Sequence, residues 1–207
     1  MDLKDFFPNI SNFRVYKTFS KDLGCSPEVS RYLTKITTLN GSLPQGSPTS
    51  TILSALVAKS LSIRLEKLTK KYGLSYSQFV DDITVSGSSH IINLIDKIEK
   101  IIKQEGFKIN SAKTEVINEA QEQVVTGVRV NAGLDSPNEK IKKTRNEIKK
   151  VVVNSVEGRG NLESKLASIK GKINYITGLN KGAGASLKRR LKKEISVMNS
   201  RIITSNS

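Results

Sequence analysis

The sequence has too few cysteines and histidines for an internal disulfide or for a zinc site built from these two residue types. Its 207 residues include one cysteine, Cys25, and one histidine, His90. A disulfide needs two cysteines, and a structural zinc site needs four ligands. We therefore interpret Cys25 as an ordinary small side chain and His90 as a solvated residue ahead of a helix.

Long apolar runs are also absent, and acidic residues are outnumbered. No apolar stretch approaches the roughly 20 residues that cross a bilayer, and a start containing Asp2 and Asp5 does not resemble a signal peptide. Lysine and arginine total 34 against 19 acidic residues, a net charge of +15. This excess predicts a polyanionic partner, nucleic acid in preference to a membrane surface. We expect a cytoplasmic protein that does not bind a membrane.

Apolar periodicity outlines a mixed structure over the first two thirds of the chain. Helical spacing predicts helices at 52–71, closing at Gly73, and from 91 to Gly106. Short runs rich in strand-forming residues predict strands at 76–80, 83–86, 107–109 and 124–130. In the last of these, alternation predicts that Val124, Thr126, Val128 and Val130 share one side. The expected class is α+β, an antiparallel sheet with helices on one face.

After Pro137 the composition becomes basic and helical. Periodicity predicts helices at 141–156, 162–179 and 186–202, and we expect a disordered tail at 203–207. We interpret residues 138–202 as a small helical subdomain that holds nucleic acid through phosphates. The alternative is a solvated charged bundle without that role. The densest basic cluster consists of Lys188, Arg189, Arg190, Lys192 and Lys193.

Two adjacent carboxylates, Asp81 and Asp82, lie in a turn between the predicted strands at 76–80 and 83–86. Two like charges resist being desolvated together, so a positive group is expected beside them. Hard divalent cations take oxygen ligands, often from one or two carboxylates, and leave other positions to water and phosphates. Together with Asp2, this turn predicts a metal-dependent phosphoryl-transfer site. The alternative is that these acids are turn formers and helix caps.

Five motifs in a fixed order resemble those of bacterial reverse transcriptases, in particular the retron type. Each motif alone is weak, but their order is specific, and together they cover residues 2–131. They read Asp-Leu-Lys-Asp-Phe-Phe-Pro-Asn-Ile at 2–10, Leu-Pro-Gln-Gly-Ser-Pro-Thr-Ser at 43–50, Phe-Val-Asp-Asp at 79–82, Gly-Phe-Lys-Ile-Asn at 106–110 followed by Lys113-Thr114, and Val-Thr-Gly at 125–127.

The resemblance implies a catalytic centre of three acids and one lysine. Asp2 and Asp81 match the metal-ligating carboxylates of the family, and Asp82 matches the second acid of its turn. The implied cofactor is a pair of Mg²⁺ ions, although oxygen ligands suit Mn²⁺ as well. Lys113 matches a candidate general acid for the leaving pyrophosphate. The alternative is a surface lysine at the end of a strand.

The resemblance also implies residues that contact the incoming nucleotide and the primer. Phe7 matches an aromatic gate that clashes with a 2′-hydroxyl and so selects deoxynucleotides, whereas Phe6 is expected in the core. Gln45 and Gly46 match a loop against the nucleotide and the template base. Phe79 stands where most retron enzymes have tyrosine, and lacks the hydroxyl that could contact the primer.

The motif at Val125, Thr126 and Gly127 resembles a retron signature that helps to recognise the cognate structured RNA. Arg129 beside it is a candidate phosphate contact. The alternative is that threonine in a valine-rich strand, followed by a bulge glycine, is ordinary strand chemistry.

The resemblance implies a polymerase palm at 1–137 and a thumb at 138–202, but the family's fingers region has no counterpart ahead of Asp2. We therefore expect an N-terminally incomplete palm. The implied function is RNA-directed DNA polymerase of retron type, which copies a structured noncoding RNA into DNA from dNTPs, with antiviral defence as the setting. The alternative is a non-catalytic RNA-binding fragment or subunit of a split enzyme. Its partner would be a fingers-bearing chain or an effector protein.

Overall fold

The structure is a computed structural model that describes residues 1–87, 89–131, 133–153 and 159–205. The chain forms two compact units, Met1–Val116 and Ile117–Ser207. Helices combine with small antiparallel sheets, which confirms the predicted α+β class. The boundary between the units precedes the segment at 124–130, whereas the sequence analysis placed a boundary after residue 137.

The first unit is mainly helical between its N-terminal segment and its hairpin. Serine hydroxyls cap two helices that the sequence analysis did not predict, since Ser11 accepts from the Arg14 N–H and Ser26 from the Val29 N–H. The elements are α1 (Asn12–Lys17), a short π-helix (Thr18–Asp22), α2 (Pro27–Thr37), α3 (Pro48–Val57), α4 (Lys59–Lys71), a 3₁₀ helix (Ser89–Leu94), α5 (Ile95–Gln104) and a 3₁₀ turn (Ser111–Lys113).

The single helix predicted at 52–71 is in fact two helices, α3 and α4. Ala58 separates them with φ −84° and ψ 0°, outside the helical region. Buried Leu53, Leu61 and Leu65 keep a helical spacing across the break, so the apolar pattern does not reveal it. The predicted end at Gly73 is confirmed, because this glycine has a left-handed φ of 66°.

The acidic turn closes a hairpin of two antiparallel strands, β1 (Ser75–Phe79) and β2 (Asp82–Ser86), as predicted. The N-terminal segment continues this arrangement on the other side of β2. The Met1 ammonium donates to the Ile83 carbonyl at 2.9 Å, and the Ile83 N–H donates back to Met1 at 2.8 Å. Beyond it, the Lys4 N–H donates to the Lys108 carbonyl at 2.8 Å. The segment at 1–4 therefore lies between β2 and the segment at 108–110.

One face of these strands enters the core of the first unit. Leu3 and Ile83 are fully buried together with Leu61 and Leu65 of α4 and Ile98 of α5. Phe6 also belongs to this core, and the centroid of its ring lies 5.5 Å from the centroid of the Phe107 ring. The expectation that Phe6 is a core residue is confirmed. The opposite face of the strands is left for polar side chains.

In the second unit, the predicted strand at 124–130 is wrong. The segment is a tight hairpin of β3 (Val124–Val125) and β4 (Val128–Arg129). Thr126 and Gly127 form the turn, with φ values of 47° and 79°. Two successive positive values are typical of a type I′ turn. The predicted alternation is also wrong, because Val124 pairs with Arg129 and Val125 with Val128.

Three helices complete the second unit: α6 (Asn138–Val153), α7 (Arg159–Leu179) and α8 (Lys181–Ser205). All three predicted helices are present, with starts that lie a few residues earlier than expected. Residues 154–156 of the first predicted helix lie outside the described residues. Helix α8 includes residues 203–205 of the expected disordered tail, and 206–207 lie outside the described residues. The helices pack around buried Ile148, Ile173, Ile176, Leu187 and Leu191.

Changing Thr126 to asparagine is expected to stabilise the second unit by about 1 kcal/mol. Thr126 is exposed and β-branched, yet it holds a positive φ that asparagine adopts more easily. Urea unfolding followed by circular dichroism measures the change. Thr126→Val is the matched control, since it keeps the branched carbon and should bring no gain. Equal midpoints for the asparagine and valine variants would contradict a strained turn.

Candidate active site

The strand register places four side chains in one row on the polar face of the first unit. Phe79 pairs with Asp82 across the hairpin, and Asp82 forms an antiparallel bridge with Asp2. A bridge between Leu3 and Ile109 sets Asn110 beside Asp2 on the far side. Because cross-strand partners project to the same face, the row runs Phe79, Asp82, Asp2 and Asn110. The structure thus brings together two acids that are distant in sequence.

The two acids in this row form a close pair. Met1 and Ile83 exchange both backbone hydrogen bonds, so the neighbouring Asp2–Asp82 pair is of the non-hydrogen-bonded type. In such pairs the Cα atoms are about 4.5 Å apart and the side chains approach closely. Both residues are half-buried. Like charges that face each other across strands are destabilising, so this pair favours a bound cation.

Two donors surround the carboxylate of Asp2. The Lys113 ammonium lies 3.4 Å from Oδ1, and the Asn110 amide nitrogen lies 3.4 Å from Oδ2. The side chain of Lys113 is 65% exposed and that of Asp2 only 23%. The predicted site lysine, Lys113, therefore reaches Asp2, while most of its side chain stays accessible to a substrate. Asn110 was not singled out by the sequence analysis, although it lies within the fourth motif.

Asp81 occupies the hairpin loop beside the row. The loop has two residues, and Val80 before Asp81 has a φ of 57°, which is rare for a β-branched side chain. The Gln78 side chain holds this turn, because its Nε2 donates to the Val80 carbonyl at 2.8 Å. In turn, Gln78 Oε1 accepts from the hydroxyls of Tyr76 at 2.6 Å and Ser62 at 2.8 Å.

Burial raises the pKa of Tyr76, so its phenol stays protonated and continues to donate to Gln78. This polar support of the acidic turn was missed from the sequence. The alternation of β1 could have indicated it, because Gln78 is a polar residue at a position that pairs with buried Ile83.

Oxygen donors suit a hard cation, and the acid pair fits the usual protein share of a Mg²⁺ site, one or two carboxylates. Among the described residues, no group of three or more histidine, cysteine, aspartate or glutamate side chains is arranged to hold a metal ion. The structure therefore pairs Asp2 with Asp82, and it does not gather Asp2, Asp81 and Asp82 into a preformed cluster. Asp81 lies in the loop next to them.

The residues predicted to contact the nucleotide lie on two turns of the first unit. Phe7 is half-buried and packs edge-on against Phe6, with centroids 5.5 Å apart. Its segment is a turn that starts at Asp5, with a φ of 48°, and is not an extended strand. Gln45 and Gly46 form an exposed turn ahead of α3. The φ of Gly46 is 85°, and no heavy atom lies within 4 Å of a Cβ built there, so backbone conformation explains this glycine.

In the second unit, the predicted RNA-contacting turn consists of Val125, Thr126 and Gly127. Thr126 and Gly127 at its tip are exposed, and a hydrogen bond from α7 holds the turn in place. The Tyr175 hydroxyl of α7 donates to the Gly127 carbonyl at 3.2 Å. Arg129 next to this turn forms an ion pair with Asp135. This pair leaves Arg129 less available to a phosphate than the sequence analysis expected.

Asp135 is held as a carboxylate by its surroundings. Burial is the largest single influence and raises its pKa. Hydrogen bonds from Asn180 and from the Ser136 N–H, together with Arg129, outweigh burial and leave the pKa below its usual value. The pair therefore persists at neutral pH and is lost only as the pH falls through that lowered pKa.

The five basic residues of the predicted cluster all lie on α8, where they divide between two sides of the helix. Arg189, Arg190 and Lys193 line a cavity of about 470 Å³ with Arg145 of α6. Lys188 and Lys192 are exposed and do not line it.

A family model described as reverse transcriptase (RNA-dependent DNA polymerase) matches residues 1–151, well over half of the chain. The chain therefore belongs to the reverse transcriptase family. Several of its curated relatives are retron reverse transcriptases, which confirms the retron-type resemblance. The retron Ec86 reverse transcriptase of Escherichia coli is 35% identical over 133 residues, 63% of this chain and 41% of that protein.

A second relative extends the similarity into the basic helices. The retron Mx65 reverse transcriptase of Myxococcus xanthus is 29% identical over 214 residues, 93% of this chain and 48% of that protein. The chain thus spans less than half the length of these relatives. Within the described residues, no helix combines the length and apolarity needed to cross a membrane.

Proposed function

We propose that this chain is the catalytic palm and the thumb of a retron-type RNA-directed DNA polymerase. The observation that carries the proposal is the row in which Asp82 and Asp2 lie side by side with Lys113 at 3.4 Å. We assign the first unit to the palm and the basic helices at 138–202 to the thumb. The substrates are dNTPs, and the template is a structured noncoding RNA that is copied into DNA in the cytoplasm.

Asp2, Asp81 and Asp82 would hold two Mg²⁺ ions, which when bound activate the primer 3′-hydroxyl and neutralise the leaving pyrophosphate. Protein side chains supply the proton and position the substrates. Lys113 lies on the exposed side of Asp2, where it can give a proton to the leaving group. Phe7 excludes a 2′-hydroxyl, and the turn at Gln45 and Gly46 positions the nucleotide. Phe79, at one end of the row, contacts the primer.

The basic helices and the turn at Val125, Thr126 and Gly127 contact the RNA. Because a polymerase accepts many template sequences, the helices hold the duplex by its backbone, and the turn recognises the structured part of the cognate RNA. Antiviral defence is the biological setting that we propose.

A second candidate function follows from one observation, the coverage of less than half of each relative. In it, the chain binds RNA as a fragment or as one subunit of a split reverse transcriptase. A fingers-bearing chain or an effector protein supplies what is missing.

Primer extension on an RNA template separates the two functions. The chain alone is mixed with a DNA primer, dNTPs and Mg²⁺, and a parallel reaction adds the fingers region of a retron relative. Extension by the chain alone supports a self-sufficient polymerase, and extension only after addition supports a split enzyme. Addition of EDTA should abolish the product, and so should replacement of the dNTPs by ribonucleotides. RNA binding without extension in either reaction would leave the non-catalytic function.

A further inference from the structure

The basic cluster of α8 is not one continuous surface. Positions four apart share a side of a helix, so Arg189 lies with Lys193, and Lys188 lies with Lys192. The first pair lines the cavity of about 470 Å³ and the second does not. The two sides can therefore have different roles, even though the sequence shows a single basic run.

Packing of α6 against α8 forms this cavity. Ile148 of α6 is buried with Leu187 and Leu191 of α8. Arg145, about one turn before Ile148, and Arg190, which directly precedes Leu191, therefore line the same cavity. The cavity is lined by residues of two helices, α6 and α8, so its arginines extend from helical backbone and not from a loop.

The cavity carries a strong excess of positive charge. Among the described residues, four cationic side chains line it, and Glu194 is the only acidic one. The polar lining also includes Ser186, whose hydroxyl can donate to an anion. A site with this composition favours an anion over a cation or an apolar ligand.

The other three cationic lining residues are exposed, whereas Arg190 is half-buried. Its Nε atom is buried, yet it has no hydrogen-bond partner among the described residues. A buried donor without an acceptor is destabilising, and native proteins rarely leave one unsatisfied. Since the buried Nε leaves no surface for a ligand, a phosphate would be bound by the two terminal guanidinium nitrogens of Arg190, which can donate together to its oxygens.

We propose that Arg145, Arg189, Arg190 and Lys193 form a pocket that binds a backbone phosphate of the nucleic acid. The proposal rests on the proposed function, because it takes the template and product strands as the ligand. It adds one fixed phosphate position to an otherwise diffuse electrostatic attraction. Lys188 and Lys192 contribute only to that diffuse attraction.

Two double variants that each remove two positive charges test this pocket. Arg145→Gln with Arg190→Gln changes the pocket, and Lys188→Gln with Lys192→Gln is the matched control. Binding of the full chain to a fluorescent RNA–DNA duplex is measured by anisotropy over a range of salt concentrations. The pocket variant should bind at least about tenfold more weakly, with a log–log salt slope smaller by about 2. The control should lose no more than about threefold.

The outcomes separate this inference from the proposed function. Equal weakening by both variants would overturn the pocket and leave a nucleic-acid-binding protein. Failure of the wild-type chain to bind the duplex would overturn both. Loss of binding to phosphatidylglycerol vesicles in the pocket variant, with duplex binding unchanged, would overturn the nucleic-acid ligand.

A single charge-conserving substitution separates a loss of binding from a loss of folding. Arg190→Lys keeps the charge but loses the paired terminal donors of the guanidinium. It should weaken duplex binding about threefold or more while its circular dichroism and melting midpoint match those of the wild type. Wild-type affinity in this variant would contradict the role of the guanidinium.

Discussion

Changing Asp2 to asparagine is expected to reduce primer extension by about 10³-fold, measured with the chain alone or with the fingers region added, whichever supports extension. Asp2 is flanked by Asp82 on one side and by Lys113 and Asn110 on the other. The amide keeps the size of the side chain but removes the charge that a metal ion requires.

The folded state should not suffer from this change. A neutral amide at this position would no longer repel Asp82 across the strands, while the exposed pair with Lys113 contributes little to stability. The melting midpoint without metal should therefore stay equal or rise. Asp96→Asn, at an exposed position of α5, is the matched control and should keep full extension.

Magnesium also provides a readout that does not depend on turnover. A ligand that binds only the folded state raises the melting midpoint, so Mg²⁺ should stabilise the wild type and the Asp96 variant but not the Asp2 variant. The same measurement on Asp81→Asn and Asp82→Asn shows which acid of the turn joins Asp2. Equal Mg²⁺ stabilisation in all variants would rule out a carboxylate metal site here.

Changing Gly184 to alanine is expected to destabilise the second unit by about 2–3 kcal/mol. Helix α8 passes so close to α7 at this point that an added Cβ would lie 2.2 Å from Thr177 Oγ1 and 2.7 Å from Thr177 Cα. Rotation of the threonine side chain cannot move Cα. The helices would have to separate, and the core around Ile173 and Leu187 would loosen.

Gly182 on the first turn of α8 is the matched control. A Cβ there would meet only Asn180 Oδ1 at 3.5 Å, an ordinary contact. Gly182→Ala should leave stability unchanged or raise it by up to about 1 kcal/mol. Urea unfolding measures both changes in the free energy of unfolding. The dependence of that free energy on urea concentration should be the same for the wild type and the two variants. A Gly184→Ala variant as stable as the control would show that the crossing can open freely.

The elements that the sequence predicted well are those with a strong local signal. The hairpin at 75–86 combines short strand-forming runs with a polar turn, and the basic helices have long helical periods. The hairpin at 124–129 was missed because Thr126 and Gly127 do not form one of the common turn pairs, and a valine-rich run favours a single strand. Whether a positive φ is adopted there depends on contacts such as the Tyr175 hydrogen bond, which sequence spacing does not show.

The candidate site follows the same division. The motifs indicated Asp2 and the acidic turn, but not that Asp82 is the cross-strand partner of Asp2. That pairing depends on register, which the backbone bonds of Met1 and Ile83 fix. Likewise, the supporting role of Gln78 and the division of the α8 cluster depend on packing between elements far apart in the chain.

The bond between the Met1 ammonium and Ile83 has a practical consequence for biochemists who purify this protein. A peptide N–H could make the same contact, so residues fused ahead of Met1 would continue this segment along β2. An oligohistidine tag placed there would bring imidazoles to the acids and could capture nickel or zinc. Activity titrations against divalent ions are therefore better done with an untagged protein.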